Sequence, residues 1–205
     1  MGVLSERLRK YFIMGSQDCD RDPEQILRKA IEAGITAFQY REKGLGALTG
    51  EGKVELGKRL RQICKEKDIL FIVNDDVELA KTLQADGIHV GQEDMPVDEV
   101  RERFPDKIVG LSVANMEEVK RSRLDLVDYV GAGPIFATPT KPDDQPSGYD
   151  WLKEIRTLHP NVSIVAIGGI KPENAQTVLK AGADGLAVVT AITKAENIDK
   201  VVAQL

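Results

Sequence analysis

Three side chains early in the sequence carry the first chemical signal. Gln39, Arg41 and Lys43 stand at i, i+2 and i+4, and in an extended segment that spacing turns all three to one side. An amide, a guanidinium and an ammonium on one side make a receptor for a phosphate or diphosphate; the alternative is a solvated strand end. Further along, an apolar run stops at Asn74-Asp75-Asp76, and His89-Val90-Gly91-Gln92-Glu93-Asp94 brings a second carboxylate region. Carboxylates from two neighbouring strand ends, beside a cationic receptor, suit a hydrated Mg2+ that bridges to a diphosphate. Helix capping is the competing use of the Asn and Asp residues at 74–76. Ser112 adds a hydroxyl able to donate to a phosphate oxygen or a heterocycle. A nucleophilic role is disfavoured, because no G-x-S-x-G elbow surrounds it and neither histidine is identified as its base.

A second group of residues points to a second anion. Gly133 to Gly148 is the longest irregular stretch, long enough to expect a lid, and its Thr138, Thr140 and Lys141 offer donors to an anion. Gly168-Gly169 precedes Ile170-Lys171-Pro172, and Val189-Thr190 precedes a short helical run, so backbone amides near helix starts can receive a phosphate there. His89, within an apolar run, and His159, before Pro160, read as structural. Tyr149 and Trp151 read as packing at a helix start. Cys19 and Cys64 form no C-x-x-C and have no nearby histidine, which argues against a metal site built on them.

The elements that must position these residues alternate regularly. Apolar runs at 11–14, 35–40, 69–74, 87–90, 107–112, 126–131, 162–167 and 185–189 are short and nearly continuous, as expected for parallel strands buried on both faces. Amphipathic stretches lie between them. Asp22-Pro23 and Thr49 are candidate helix starts, and Lys171-Pro172 opens a helix that Gly182 closes. Eight strand-then-helix units predict a single-domain (β/α)8 TIM barrel over residues 1–205, with a short helical lead-in at about 3–10. Asp86, Asp128 and Asp184 each sit just before a strand, a weak internal repeat that tight helix-to-strand turns would also produce. An open doubly wound sheet is the second fold considered, and it lacks the G-x-G-x-x-G expected after its first strand. In a barrel, nearly every polar cluster named above falls at the C-terminal ends of the strands, where active sites of that architecture are built.

Composition narrows the function classes. Lys and Arg number 28 against 33 Asp and Glu, a net charge of −5, so there is no bulk attraction to nucleic acid or an anionic membrane. An aromatic fraction of 5% is low for a nucleic-acid stacking surface. No signal-peptide core, myristoylation pattern or membrane-length apolar run is present, so a cytoplasmic protein is expected.

The segments QYREK (39–43), FIVNDD (71–76), ADGIHVGQED (85–94), YVGAGPIFATPTK (129–141), AIGGI (166–170) and AGADGLAVVTAI (181–192), together with the YFIMGS opening (11–16), resemble the thiamine-phosphate synthase family in order over almost the whole chain. The resemblance implies a transferase of thiamine biosynthesis that condenses a pyrimidine carried as its diphosphate ester with a phosphorylated thiazole, assisted by Mg2+ and acting dissociatively at carbon. It further implies that Gln39, Arg41, Lys43, Asn74, Ser112 and Lys141 hold the pyrimidine diphosphate, with Arg41, Lys43, Ser112 and Lys141 nearest the chemistry. Asp75 and Asp94 would take the metal, and Thr138, Thr140, Gly169, Val189 and Thr190 the thiazole phosphate. Small molecules are the partners expected, and a homo-oligomer is left open. Two other readings are a thiazole tautomerase-like isomerase and a non-catalytic phosphate-ligand binding protein on the same barrel. Ala114 stands where many relatives carry a histidine, which argues against the tautomerase, and Thr190 stands where serine is commoner.

Overall fold

Each of the eight apolar runs forms a strand, and each is nearly continuous in apolar character because both of its faces are covered. In a computed structural model, which describes residues 2–138 and 145–205, the strands are β1 (Lys10–Met14), β2 (Ala37–Tyr40), β3 (Leu70–Asn74), β4 (Gly87–Val90), β5 (Ile108–Val113), β6 (Tyr129–Ala132), β7 (Ser163–Ile167) and β8 (Gly185–Val188). They pair in chain order, all parallel, and β8 returns to β1 to close a barrel. Helices α2 (Pro23–Glu32), α3 (Gly50–Glu66), α4 (Val77–Thr82), α5 (Val97–Arg103), α6 (Met116–Arg121), α7 (Leu152–Leu158) and α8 (Pro172–Lys180) follow the first seven strands in turn. The pair α9 (Thr190–Thr193) and α10 (Ile198–Ala203) follows the eighth.

Alternation along the strands divides the core in two. Phe12, Met14, Phe38, Tyr40, Phe71 and Val73 point outward and meet Leu27, Leu60 and Ile63 of the helices. Phe12, Phe38 and Phe71 are fully buried, so each stabilises the fold by roughly 1.5–3 kcal/mol. Tyr11, Ile13, Ala37, Leu70, Ile72, Tyr129, Val165 and Ala187 point inward and fill the barrel together with Leu8. Helix α1 (Val3–Arg7) closes the N-terminal end, with Ser5 Oγ 3.0 Å from Ser163 Oγ. The lead-in is shorter than the expected 3–10 because Lys10 already pairs with Leu186 as the first residue of β1. Asp22 caps α2 by accepting from the Glu24 N–H, whereas Thr49 precedes α3 without its side chain accepting a capping bond.

The Asp residues before alternate strands share a structural role. Asp86 accepts from the Phe71 N–H of β3 at 2.9 Å and from both terminal nitrogens of Arg61 on α3. Asp128 accepts from Val109 N–H of β5 at 2.8 Å and from Arg101 on α5. Asp184 accepts from Ile164 N–H of β7 at 2.8 Å and from Arg156 on α7. At the fourth equivalent place Thr36 Oγ1 accepts from Lys10 N–H of β1 at 3.0 Å. The barrel is thus four two-strand units, each with a side chain that accepts from an amide at the start of the preceding odd strand, that of its first residue in β1 and of its second in β3, β5 and β7. Asp128 also explains why β6 begins at Tyr129 and not at the expected 126: Leu124–Leu126 forms a 3-10 turn that delivers the carboxylate to the strand end.

Asp184 is the most enclosed of these carboxylates, and it lies at the end of the barrel remote from the strand C-termini. Asp184→Ala leaves the Ile164 amide without its acceptor and Arg156 without its carboxylate partner, held only by backbone carbonyls. It is expected to cost about 2–3 kcal/mol and to lower Tm by roughly 5–10 °C with KM unchanged, as read by thermal denaturation and steady-state kinetics.

Candidate functional site

A cavity of about 1270 Å³ opens at the C-terminal ends of the strands. Its floor is polar, which is unusual for a barrel interior. His89 of β4 points inward, 7% exposed, and the register places Gly110 of β5 beside it. A Cβ at Gly110 would come 2.2 Å from the Tyr129 ring and 2.4 Å from His89 Nδ1, and one at Gly131 would come 2.9 Å from His89 Cε1. Two glycines in mid-strand therefore vacate the space that the imidazole and the phenol occupy. Tyr129 OH lies 2.9 Å from His89 Nδ1, and His89 Nε2 lies 2.9 Å from Ser112 Oγ. Tyr11 OH is 2.7 Å from Tyr129 OH and accepts from Gln39 Nε2 at 3.0 Å. Sequence reasoning identified no histidine beside Ser112; the structure corrects that and brings His89 to it. His159 stands at the end of α7, remote from the cavity lining.

Gln39, Arg41 and Lys43 all line the cavity, Gln39 at the floor and the two cations above it. The alternation persists beyond β2 because the intervening residue is tied outward. Glu42 accepts from Ser16 N–H at 2.6 Å, Ser16 Oγ at 2.9 Å and Leu48 N–H at 2.8 Å. Gln17 Nε2 donates to the Arg41 carbonyl at 2.9 Å, and Arg41 N–H donates to the Met14 carbonyl at 3.1 Å.

The three polar residues after β3 separate by task. Asp76 caps α4 by accepting from Leu79 N–H at 2.9 Å, and it accepts from Lys53 Nζ at 2.8 Å. Asn74 and Asp75 line the cavity. Asp75 adopts φ 59°, a left-handed conformation uncommon outside glycine, and its N–H donates to the His89 carbonyl at 2.8 Å. The turn sends consecutive carboxylates to different places, Asp75 to the cavity and Asp76 to the helix.

Asp94 comes from the loop after β4, and its Oδ2 accepts from Gly91 N–H at 2.7 Å. The Lys43 ammonium donates to Asp75 and lies 3.7 Å from Asp94 Oδ1. Burial pushes the Asp75 carboxyl up; Lys43 opposes this and the neighbouring Asp94 adds to it. Asp94 is held below the usual carboxylate range: burial acts against this, but hydrogen bonds from Asp75 and Gly91 N–H and the charge of Lys43 outweigh it. Lys43 is held above its ordinary value by the Asp75 hydrogen bond, against burial.

Among the described residues no three His, Cys, Asp or Glu side chains converge as a metal cage. Asp75 and Asp94 are a pair of oxygen donors with an ammonium drawn onto them. Such a pair fits Mg2+, which keeps several waters and commonly uses one or two carboxylates with substrate phosphates.

A wall built on glycine lies beside this cluster. Gly168 and Gly169 have φ 98° and 62°, and a Cβ on either would lie 2.6–2.7 Å from Pro134 or from Phe136 and Ala137. Ile135 and Phe136 N–H groups donate to the Ile167 and Gly168 carbonyls at 2.8 and 3.0 Å, which fixes the start of the 133–148 loop against β7. Thr138, Gly169, Val189 and Thr190 line the cavity. Thr140 and Lys141 lie outside the described residues, as does the middle of the expected lid.

The sequence model of the family described as "Thiamine monophosphate synthase" matches residues 10–192. The chain belongs to this family. It is 56% identical to the thiamine-phosphate synthase of Oceanobacillus iheyensis over 199 residues, 97% of each chain. It is 51% identical to that of Anoxybacillus flavithermus, covering 96% of this chain and 91% of the relative. A solved structure of thiamine phosphate pyrophosphorylase from Pyrococcus furiosus superposes with a TM-score of 0.87 at 37% identity, over 98% of this chain and 95% of that one.

Within this thiamine monophosphate synthase barrel, sequence reasoning missed residues that hold others in place, Tyr11, Gln17, Glu42 and Tyr129, and it read His89 as structural without its contact to Ser112. Glu42 offers a direct check, since it anchors the loop that carries Arg41 and Lys43 while standing outside the cavity lining. Glu42→Ala is expected to weaken the binding of inorganic diphosphate about tenfold, the equivalent of losing one net hydrogen bond's worth of order. Calorimetric titration reads this directly, and unchanged affinity would contradict the anchoring role.

Proposed function

We propose that the chain, a transferase, condenses 4-amino-2-methyl-5-(diphosphooxymethyl)pyrimidine with 4-methyl-5-(2-phosphooxyethyl)thiazole, or the carboxylated form of the latter, to give thiamine phosphate and diphosphate. The observation that carries the reading is the meeting in one cavity of Arg41 and Lys43, the Asp75–Asp94 pair, and the Gly168–Gly169 wall. The name shared by the relatives above supports it. In this reading Gln39, Arg41, Lys43, Asn74, Ser112 and Lys141 hold the pyrimidine diphosphate. Thr138, Thr140, Gly169, Val189 and Thr190 hold the thiazole phosphate, and Asp75 and Asp94 hold Mg2+.

The bond between the pyrimidine methylene carbon and the diphosphate oxygen breaks with both electrons leaving on oxygen. The thiazole nitrogen then gives its lone pair to that carbon. The electron-rich aminopyrimidine stabilises the intervening methylene cation, so no protein nucleophile is needed. Arg41 donates to the leaving diphosphate as its charge grows, a task that favours a planar, permanently charged donor. Lys43 offsets part of the charge of the carboxylate pair in the ligand-free chain and would be released to the diphosphate were that pair to hold a cation. Asp75 and Asp94 would hold Mg2+, which when bound would polarise the diphosphate oxygens and offset the charge of the leaving group. Holding the two substrates side by side replaces a bimolecular encounter with an oriented one.

Purified protein given both substrates and Mg2+ is expected to release diphosphate and form thiamine phosphate; no product at saturating substrates would refute the reading. Arg41→Ala is expected to lower kcat/KM by about 10²-fold or more with little change in Tm. Asp94→Asn is expected to raise the Mg2+ concentration needed for half-maximal rate, and an unchanged metal titration would reject Asp94 as a ligand.

A further inference from the structure

The polar floor of the cavity has a direction. Gln39 Nε2 can only donate, and it donates to Tyr11 OH. The arrangement in which every buried proton has a partner then has Tyr11 giving its single proton to Tyr129 OH, 2.7 Å away. Tyr129 in turn gives its proton to His89 Nδ1 at 2.9 Å. A neutral imidazole that accepts at Nδ1 carries its hydrogen on Nε2, which donates to Ser112 Oγ at 2.9 Å. The Ser112 hydrogen is then left to point away from His89. Both phenols are buried, and burial pushes each well above the usual tyrosine range, so each keeps the one proton the chain requires.

We propose that Gln39, Tyr11, Tyr129 and His89 form a directed hydrogen-bond relay that presents Ser112 to the cavity as a donor and so selects a ligand with an acceptor atom at that place. Tyr129 and His89 are positioning residues that act through Ser112. The inference rests on the cavity being the transfer site. For the aminopyrimidine, a ring nitrogen satisfies Ser112 and the exocyclic amino group, itself a donor, does not. The relay thereby fixes which edge of the ring faces β5. The opposite orientation of the Gln39 amide would reverse every bond in the chain, put the imidazole hydrogen on Nδ1 and make Ser112 an acceptor toward the ligand.

The imidazole tautomer separates the two orientations. The full chain holds two histidines, so 15N NMR of the wild type, with His159→Gln used to assign the resonances, reads His89 without substrate. The relay predicts a pyridine-type Nδ1 and a protonated Nε2. Gln39→Glu, read at a pH where its carboxyl is ionised and can only accept, is expected to move the hydrogen to Nδ1. Tyr129→Phe keeps the ring, removes the link and lies outside the cavity lining; it is expected to raise KM for the pyrimidine diphosphate about tenfold with KM for the thiazole phosphate unchanged. A protonated Nδ1 in the wild type would overturn the relay, as would a tautomer unmoved by Gln39→Glu. An equal rise in both KM values on Tyr129→Phe would reduce Tyr129 to a packing role and overturn it too. Because the tautomer is read without substrate, a chain lacking transferase activity would fail the functional reading separately.

Discussion

A strand in a closed barrel has no free edge and only two places to send a side chain, inward to the axis or outward to the helices. That constraint governs the molecule. It sends Phe12, Phe38 and Phe71 to the helices and Tyr11, Ile13 and Ile72 to the axis. At the C-terminal end the same alternation places Gln39, Arg41 and Lys43 around one cavity. Where the strand itself has ended, side-chain anchors extend the alternation, as Glu42 does through Ser16 and Leu48. The opposite end is held by the Asp-Arg clamps, which lets the site end carry left-handed Asp75 and two left-handed glycines without loosening the barrel.

The polar floor follows from the same geometry. Inward positions at this level must fill the axis or leave it open, and Gly110 and Gly131 leave it open for His89 and Tyr129. A buried polar group is tolerated when every member has a partner, and the run from Gln39 to Ser112 supplies partners in sequence. The floor can therefore be polar and well ordered at once, which is the condition for a single hydroxyl to discriminate between two edges of a small ring.

The strands were legible because each is a short, continuous apolar run bounded by Gly, Asp or Asn, and the cation and carboxylate clusters were legible because they follow those runs directly. The start of β6 was misread because Leu126 and Val127 are as apolar as a strand, although Leu126 ends a 3-10 turn and Val127 leads from it to Asp128. The His89–Ser112 and Glu42–Ser16 contacts join residues 23 and 26 positions apart, and only barrel register brings them together. The available signal was the unexplained glycine inside β5 and inside β6, since a strand gives up a side chain where something else must approach. The Asp repeat was visible, but its pairing with Arg61, Arg101 and Arg156 depends on where each helix returns.

In the proposed reaction the carboxylate pair and the cationic receptor act as one site, with Lys43 exchanging between them. Calorimetric titration of Mg2+ into the protein with and without saturating inorganic diphosphate tests it. Diphosphate is expected to tighten Mg2+ binding at least about tenfold, and by linkage Mg2+ to tighten diphosphate binding by the same factor. Equal Mg2+ affinity in the two titrations would contradict it.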